Sequence, residues 1–306
     1  MPKLDTDLKL ETKQAEAVLE AWLGGSVACM GMDRLEGGML NTVLRLRFDR
    51  DPGTAVIKLS REGGDFVREA RALRHMRERA FPCPTVYDLG GAASLLPHSY
   101  LLLETLPGVH MGQASLEESD AAVVEQELAE AMVALHAHTR DTYGALGAAG
   151  EQSWLEAYMP RLHAVRASDE VGSRLATDAL ETVDRAIEVC AELLADESAP
   201  TLIHGDIWAA NVMVERRDDG WHLSGLLDPS AEYADAEMEL AYLRSFRTPW
   251  THFFDAYTAL RPLRPGHELR WLVYWLHTYL IHVYYFGDQH YCDVAGWAAR
   301  QILAKV

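Results

Sequence analysis

The chain has 306 residues, 49% hydrophobic and 24% charged, the balance of a folded globule long enough for two lobes. Its formal net charge of −18, from 46 acidic and 28 basic side chains, repels phosphate backbones and argues against a nucleic-acid partner. The same charge means that any phosphate-bearing ligand must meet cations supplied locally. Cys29, Cys83, Cys190 and Cys292 form no C-x-x-C pair, so neither a zinc site nor a redox motif is indicated, and scattered thiols suit a reducing cytoplasm. The polar N-terminus lacks the apolar core of a signal peptide. The most apolar stretch, 271–286, contains His277 and His282 and is short for a membrane span, so it reads as a buried helix and no membrane partner is expected.

In chain order, apolar side chains at helical spacing run over 10–23 and stop at Gly24-Gly25. Strand-like alternation follows at 26–34, 42–47 and 54–59, joined across Glu36-Gly37-Gly38 and across the turn Asp51-Pro52-Gly53. A helix is expected over 65–79, with Phe66, Leu73 and Met76 on its apolar side, ended by Pro82 and Pro84. Two further strands fit 85–89 and 100–104. After Leu106-Pro107-Gly108 helical patterns take over at 121–139, 154–166, 175–194 and 238–246, interrupted by a strand-rich stretch at 201–229. This predicts an α+β chain with a β-rich N-lobe over 1–106, a mainly helical C-lobe over 107–306, and a hinge near 104–108.

The segment Leu202-Ile203-His204-Gly205-Asp206-Ile207-Trp208-Ala209-Ala210-Asn211-Val212 sets an Asp and an Asn five positions apart between two apolar runs. That is the spacing of a kinase catalytic loop, in which the Asp accepts the proton of the acceptor hydroxyl and the Asn holds a metal. A second carboxylate, Asp228, follows the strand-like 222–227 and precedes Pro229, the place from which Mg²⁺ bridging the phosphates is chelated. Singly, His204 could be a core histidine, Asn211 a turn residue and Asp228 an Asp-Pro turn. In this order, on a strand–loop–strand frame, they point to catalysis.

The front half offers the matching clamp. Lys58 ends the apolar run Ala55-Val56-Ile57, the placement of a phosphate-binding lysine, and Glu69 on the next helix is within reach of it. Gly37 and Gly38, with Asn41, form a loop whose backbone N–H groups could approach phosphates, although the full G-x-G-x-x-G pattern is absent. The segment from Glu104 to Leu106 would meet adenine. A solvated Lys–Glu pair is the competing reading.

These residues resemble the aminoglycoside phosphotransferase and protein-kinase-like superfamily, whose loop reads H-G-D-x-x-x-x-N. Three features are similar to the fructosamine (ketosamine) kinases within it: Gly37-Gly38-Met39-Leu40-Asn41, His204-Gly205-Asp206-Ile207-Trp208, and Asp228-Pro229 continuing to Asp235, Glu237 and Glu239-Leu240-Ala241. The tail, with Phe254-Asp255-Ala256-Tyr257, Pro262-Leu263 and His282 before Phe286-Gly287, is similar to the C-terminal helices of that family. The resemblance implies a bilobal protein-kinase-like fold, ATP as co-substrate and Mg²⁺ as cofactor. It implies Asp206 as catalytic base, Asn211 and Asp228 as metal ligands, and Lys58 with Glu69 as the phosphate-positioning pair. Ala234 and Ala236 depart from the Gly and Arg usual around Asp235, and 143–154 is short. Both departures fall near the expected acceptor site and leave the acceptor open.

A ketosamine would present an amine to Asp235 or Glu237 and a sugar face to Trp208, whereas the competing reading has both acids bracing the following helix. An aminoglycoside kinase, which an acidic pocket would suit, and a non-catalytic nucleotide-binding scaffold are the alternatives. His136 and His138 close an apolar helix and read as core packing or a contact with the helix end.

Overall fold

A computed structural model describes residues 7–35, 41–61, 64–92, 94–195, 198–246, 248 and 251–306. By packing, the chain forms two compact units, one of residues 1–120 with 209–230 and the other of 121–208 with 231–306. The boundary expected at 106/107 follows expected role along the chain. The packing division falls elsewhere, because a short strand just past that boundary pairs with a hairpin from the distant 209–230 segment.

In the first unit, α1 (Thr12–Leu23) opens on a reciprocal capping box between Glu11 and Gln14. A five-stranded antiparallel sheet follows, built from β1 (Cys29–Arg34), β2 (Thr42–Phe48), β3 (Thr54–Ser60), β4 (Val86–Gly90) and β5 (Ser99–Glu104) in the order β1-β2-β3-β5-β4. The helix α2 (Gly64–Arg77) lies between β3 and β4 in the chain and packs against β4 and β5. Val18 and Leu19 of α1 join Leu46, Phe48, Ile57 and Leu102 of the sheet in one core. Beyond β5, β6 (Val109–His110) pairs with β9 (Val212–Arg217), which forms a hairpin with β10 (Gly220–Leu226). Gly108 permits the approach of β6: it has φ +87°, and a Cβ there would lie 2.0 Å from the carbonyl oxygen of Val214.

The second unit holds most of α3 (Glu118–His136), then β7 (Gly144–Ala145), α4 (Trp154–Arg166), α5 (Asp169–Arg174), α6 (Thr177–Leu193) and β8 (Thr201–Ile203). It continues with β11 (Glu232–Ala234), α7 (Ala236–Phe246), α8 (Thr251–Leu260), α9 (His267–Tyr285) and α10 (Gln289–Leu303). The small sheet has the order β7-β11-β8, which sets Glu232 opposite Ile203. The stretch 271–286 expected to be a buried helix lies almost wholly in α9, which packs against α4, α5, α6, α7 and α10. No helix among the described residues is long and apolar enough to cross a membrane.

Sequence boundaries shift by a few residues where local signals compete with tertiary packing. The first strand begins at Cys29 instead of 26, the helix expected over 175–194 is α6, starting at Thr177, and the short α5 before it was not expected.

Candidate active site

Lys58 lies in β3, the middle strand of the sheet, opposite Val43 of β2 and Leu101 of β5. Strand alternation and neighbours on both sides bury it to 6% exposure, so its ammonium needs anionic partners. It has two. Nζ donates to Glu69 Oε1 at 2.7 Å and to Asp228 Oδ1 at 2.5 Å. Burial alone would lower the Lys58 pKa, but the charges of Asp228 and Glu69 outweigh it and hold the group above its ordinary value. The lysine is therefore a fixed cation in an acidic chain, with the Asp228 side chain still 43% exposed.

Asn211 and Asp228 are brought together by the β9–β10 hairpin. Val212 pairs with Leu226, so Asn211 just precedes one strand and Leu227-Asp228 just follows the other. The N–H of Leu227 donates to the carbonyl of Asn211 at 2.8 Å, closing that end of the ladder. Asp228 takes φ +57°, an uncommon conformation for a side-chain-bearing residue that Asp tolerates better than most. The Pro229 ring disfavours ordinary helical backbone there. One buried ammonium and two hard oxygen side chains at one hairpin end fit a magnesium–phosphate group, with phosphates and water completing the coordination.

Asp206 is held by a different set of residues, all in the second unit. Gly205 has φ +85°, which a residue with a Cβ would adopt only under strain. Its N–H donates to Glu239 Oε1 at 2.6 Å, and the His204 N–H donates to Glu239 Oε2 at 3.1 Å. His136 Nε2 lies 3.0 Å from the same Oε2, and a carboxylate only accepts, so Nε2 carries the hydrogen. The Tyr257 hydroxyl, 2.7 Å from His136 Nδ1, can donate to it. Burial would raise the Glu239 pKa, but the His136 and loop hydrogen bonds outweigh it and hold the carboxyl below its ordinary value. The carboxylate thus clamps the loop backbone just ahead of Asp206.

Tyr242, three residues beyond Glu239 on α7, donates its hydroxyl to Asp206 Oδ1 at 2.7 Å. Burial, reinforced by the negative Asp206, pushes the phenol pKa far up and keeps it a donor. Neither Glu239 nor Tyr242 was singled out by sequence reasoning as a site residue. Their i, i+3 spacing, which puts them on one face of α7, is the signal that could have found them. His136, expected to pack in the core, is buried there and also part of this clamp.

The remaining expected residues divide three ways. Gly37 and Gly38 lie outside the described residues, while Asn41 stands at the entry to β2. The Glu104 carboxylate accepts from the Thr85 N–H at 2.9 Å and the Thr85 hydroxyl at 2.6 Å, so that side chain is committed internally, and Leu106 and Trp208 are half-buried. Asp235 and Glu237, expected to meet an amine, are instead 1% and 4% exposed and occupied. Asp235 accepts from the Glu237 N–H at 3.0 Å, from Arg264 Nη2 at 2.5 Å and from the Tyr274 hydroxyl at 3.0 Å. Glu237 accepts from Arg264 Nε at 3.1 Å and from Arg270 Nε at 2.6 Å. Bracing of α7, the competing reading, is what the geometry provides, because buried carboxylates require fixed partners and two arginines supply them.

A cavity of about 300 Å³ opens in the second unit beside this apparatus, with Gly205, Tyr242, Arg161, Glu232, His277 and His282 among its lining residues.

An antiparallel sheet carrying a buried lysine paired with Glu69 and Asp228, and a clamped H-G-D loop, define the phosphotransferase class. The chain belongs to the phosphotransferase enzyme family, whose model matches residues 32–272. A Staphylococcus aureus protein named “Probable ketoamine kinase” is 24% identical over 278 residues, spanning 85% of this chain and 89% of its own. The crystal structure of a Haemophilus somnus protein provisionally named fructosamine-3-kinase superposes with a TM-score of 0.74 at 22% identity, covering 95% of this chain and 97% of that one. An aminoglycoside phosphotransferase solved with AMP-PNP and hygromycin B superposes with a TM-score of 0.67 at 22% identity, covering 95% and 97%. These two likenesses are of fold.

Proposed function

We propose that this chain is a Mg-ATP-dependent kinase that phosphorylates a hydroxyl of a ketosamine, with residues 1–106 serving the nucleotide and 107–306 the acceptor. The observation that carries the chemistry is the buried Lys58 ammonium held between Glu69 and Asp228. Lys58 neutralises phosphate charge, and Glu69 fixes where it points. The loop from Gly37 and Gly38 to Asn41 covers the phosphates, and the backbone of Glu104 to Leu106 meets adenine. Asn211 and Asp228 are the residues that would hold Mg²⁺, which supplies charge neutralisation at the transferring phosphoryl group.

Asp206 accepts the proton of the acceptor hydroxyl as that oxygen bonds to the γ-phosphorus and the bond from the γ-phosphorus to the ADP oxygen breaks. Positioning and electrostatics supply most of the acceleration. Trp208 covers the sugar face. The free thiols Cys29, Cys83, Cys190 and Cys292 suit a cytoplasmic enzyme.

The acceptor class rests on the ketoamine kinase relatives and on the cavity beside Gly205. An aminoglycoside would need several unengaged carboxylates there. Of the two carboxylates lining the cavity, Glu239 is instead bound to the loop and His136, which leaves Glu232, beside Arg161, as a single acid able to meet one ammonium, and that suits the ketosamine. The test is ADP release from Mg-ATP across ketosamines, their parent sugars and aminoglycosides, with Asp206→Asn alongside. Ketosamines should give the highest kcat/KM, and Asp206→Asn should cut turnover by about 10²–10⁴-fold. Efficient turnover of aminoglycosides but not ketosamines would overturn the acceptor, and undiminished turnover in Asp206→Asn would remove that residue as base.

A further inference from the structure

The cavity beside Gly205 contains a charge arrangement that the phosphoryl transfer itself does not use. Arg161 on α4 meets Glu232 on β11 edge to edge, Nη1 to Oε1 at 2.7 Å and Nη2 to Oε2 at 2.7 Å. Both residues line the cavity. The strand register places Glu232 opposite Ile203, three residues before Asp206, so the pair stands at the side of the acceptor loop. The Glu232 side chain is 15% exposed and that of Arg161 is 37% exposed, so the guanidinium presents an open edge. These two bonds use two of the five N–H donors of a guanidinium.

The other basic groups lining the cavity do not add charge. Burial, aided by the neighbouring Arg161 charge, pushes the His277 pKa down to about 4. Burial also lowers that of His282 despite its hydrogen bond to the Thr278 carbonyl. Both imidazoles are neutral at pH 7. The Tyr274 phenol is held uncharged by burial and by Asp235, and Tyr242 is likewise a neutral donor. Among the cavity's residues the charges left are the Arg161–Glu232 pair and Glu239, whose carboxylate is committed to His204, Gly205 and His136. The cavity therefore shows a ligand one cation and one anion, side by side, with little net charge.

We infer that the Arg161–Glu232 pair recognises the amino-acid end of the acceptor, so that the substrates are ketosamines of free α-amino acids, with Arg161 taking the α-carboxylate and Glu232 the adjacent secondary ammonium. This rests on the ketosamine reading above and deepens it. In such a compound the ammonium and the carboxylate are separated by one carbon, which matches two side chains already in contact. Charge-assisted bonds on both groups favour the zwitterion over a neutral analogue. A ketosamine on a protein lysine side chain carries its ammonium on a long alkyl stem with no carboxylate beside it, and would leave Arg161 unanswered. A cavity near the small end of the range for small-molecule sites fits a free sugar–amino acid conjugate.

The experiment compares kcat/KM of the full chain, with Mg-ATP, for 1-deoxyfructosyl-glycine, the matching glycinamide, and the methylamine conjugate that has neither carboxylate nor carboxamide. The carboxylate should be preferred over both by at least about 10-fold, expressed mainly in KM. In Arg161→Met, and in Arg161→Met/Glu232→Gln where no acid is left unpaired, the ratio of carboxylate to carboxamide should fall to near one. Equal kcat/KM for the three conjugates in the unaltered chain would overturn the inference while leaving the ketosamine kinase reading in place. A preference that persisted in both variants would overturn the assignment to this pair. Failure of every ketosamine to react would overturn the underlying reading itself. The first comparison uses no variant, so misfolding of a substituted chain cannot shelter the inference.

Discussion

Replacing Glu239 by Gln removes the charge that holds the His204-Gly205 backbone ahead of Asp206 while keeping the shape of the side chain. The carboxylate accepts three hydrogen bonds, from the His204 N–H at 3.1 Å, the Gly205 N–H at 2.6 Å and His136 Nε2 at 3.0 Å. An amide keeps one acceptor oxygen and turns its NH₂ toward at least one of these donors. A hydrogen bond to a charged group contributes about 1.5–3 kcal/mol, and a buried donor left unsatisfied costs about 1–3 kcal/mol. The Glu239→Gln substitution should therefore destabilise the fold by about 3 kcal/mol, roughly a hundredfold in the folding equilibrium. Because the clamped peptide groups lead directly into Asp206, turnover should fall too, by about 10²-fold.

Urea unfolding followed by tryptophan fluorescence measures the first effect, and the second is read from kcat at saturating substrates. The pH dependence provides an internal check. The folded-state pKa of Glu239 lies below its ordinary value of 4.5. Its contribution is then fully present above that ordinary value and is lost as pH falls through the folded-state pKa. The stability gap between the original chain and Glu239→Gln should accordingly be constant from neutral pH down to about pH 5 and close under stronger acid. An unchanged urea midpoint at pH 7, or a gap that does not close on acidification, would refute the clamp.

What could be read from the sequence depended on how far apart in the chain the partners stand. Lys58 was legible because it ends an apolar strand run, and Asp228 because an Asp-Pro pair interrupts another. The spacing of Asp206 and Asn211 is a local signal as well. Glu69 lies on the helix just after the Lys58 strand, near enough for its pairing to be anticipated. The support beneath Asp206 comes from farther away. Tyr242 is 36 residues beyond it, and Glu239 meets His136 across 103 residues. No periodicity connects such positions, since helix packing alone decides which faces meet. Asp235 and Glu237 show the same limit from the other side. Two acids just after the Asp228-Pro229 pair read equally well as a cation site or as helix braces. The bonds from Arg264 and Arg270, up to 33 residues away, favour the braces, and the approach of Arg270 depends on how α9 packs against α7. The pairing of β6 with β9, which draws 209–230 into the first unit, is a nonlocal contact of the same kind.

Lys58→Met should raise the KM for ATP and slow transfer, and should also leave Glu69 and Asp228 without their shared cation. Wild-type ATP kinetics in this variant would displace the lysine from the site. Asp228→Ala should weaken Mg-ATP binding far more than metal-free ATP binding in calorimetry, and equal losses would mean that Asp228 is not a ligand. Tyr242→Phe keeps the ring and deletes only the hydroxyl that donates to Asp206 Oδ1 at 2.7 Å. That bond fixes one carboxylate oxygen, so its loss should let the Asp206 carboxylate, the proposed base, rotate while both substrates bind as before. The expected result is a fall in kcat of about 10-fold with both KM values within about 2-fold, the split that marks an interaction felt mainly in the transition state. A KM rise at constant kcat would instead mean that the Tyr242 hydroxyl serves acceptor binding and not the placement of Asp206, and unchanged kcat and KM would show that Asp206 is held in place without it.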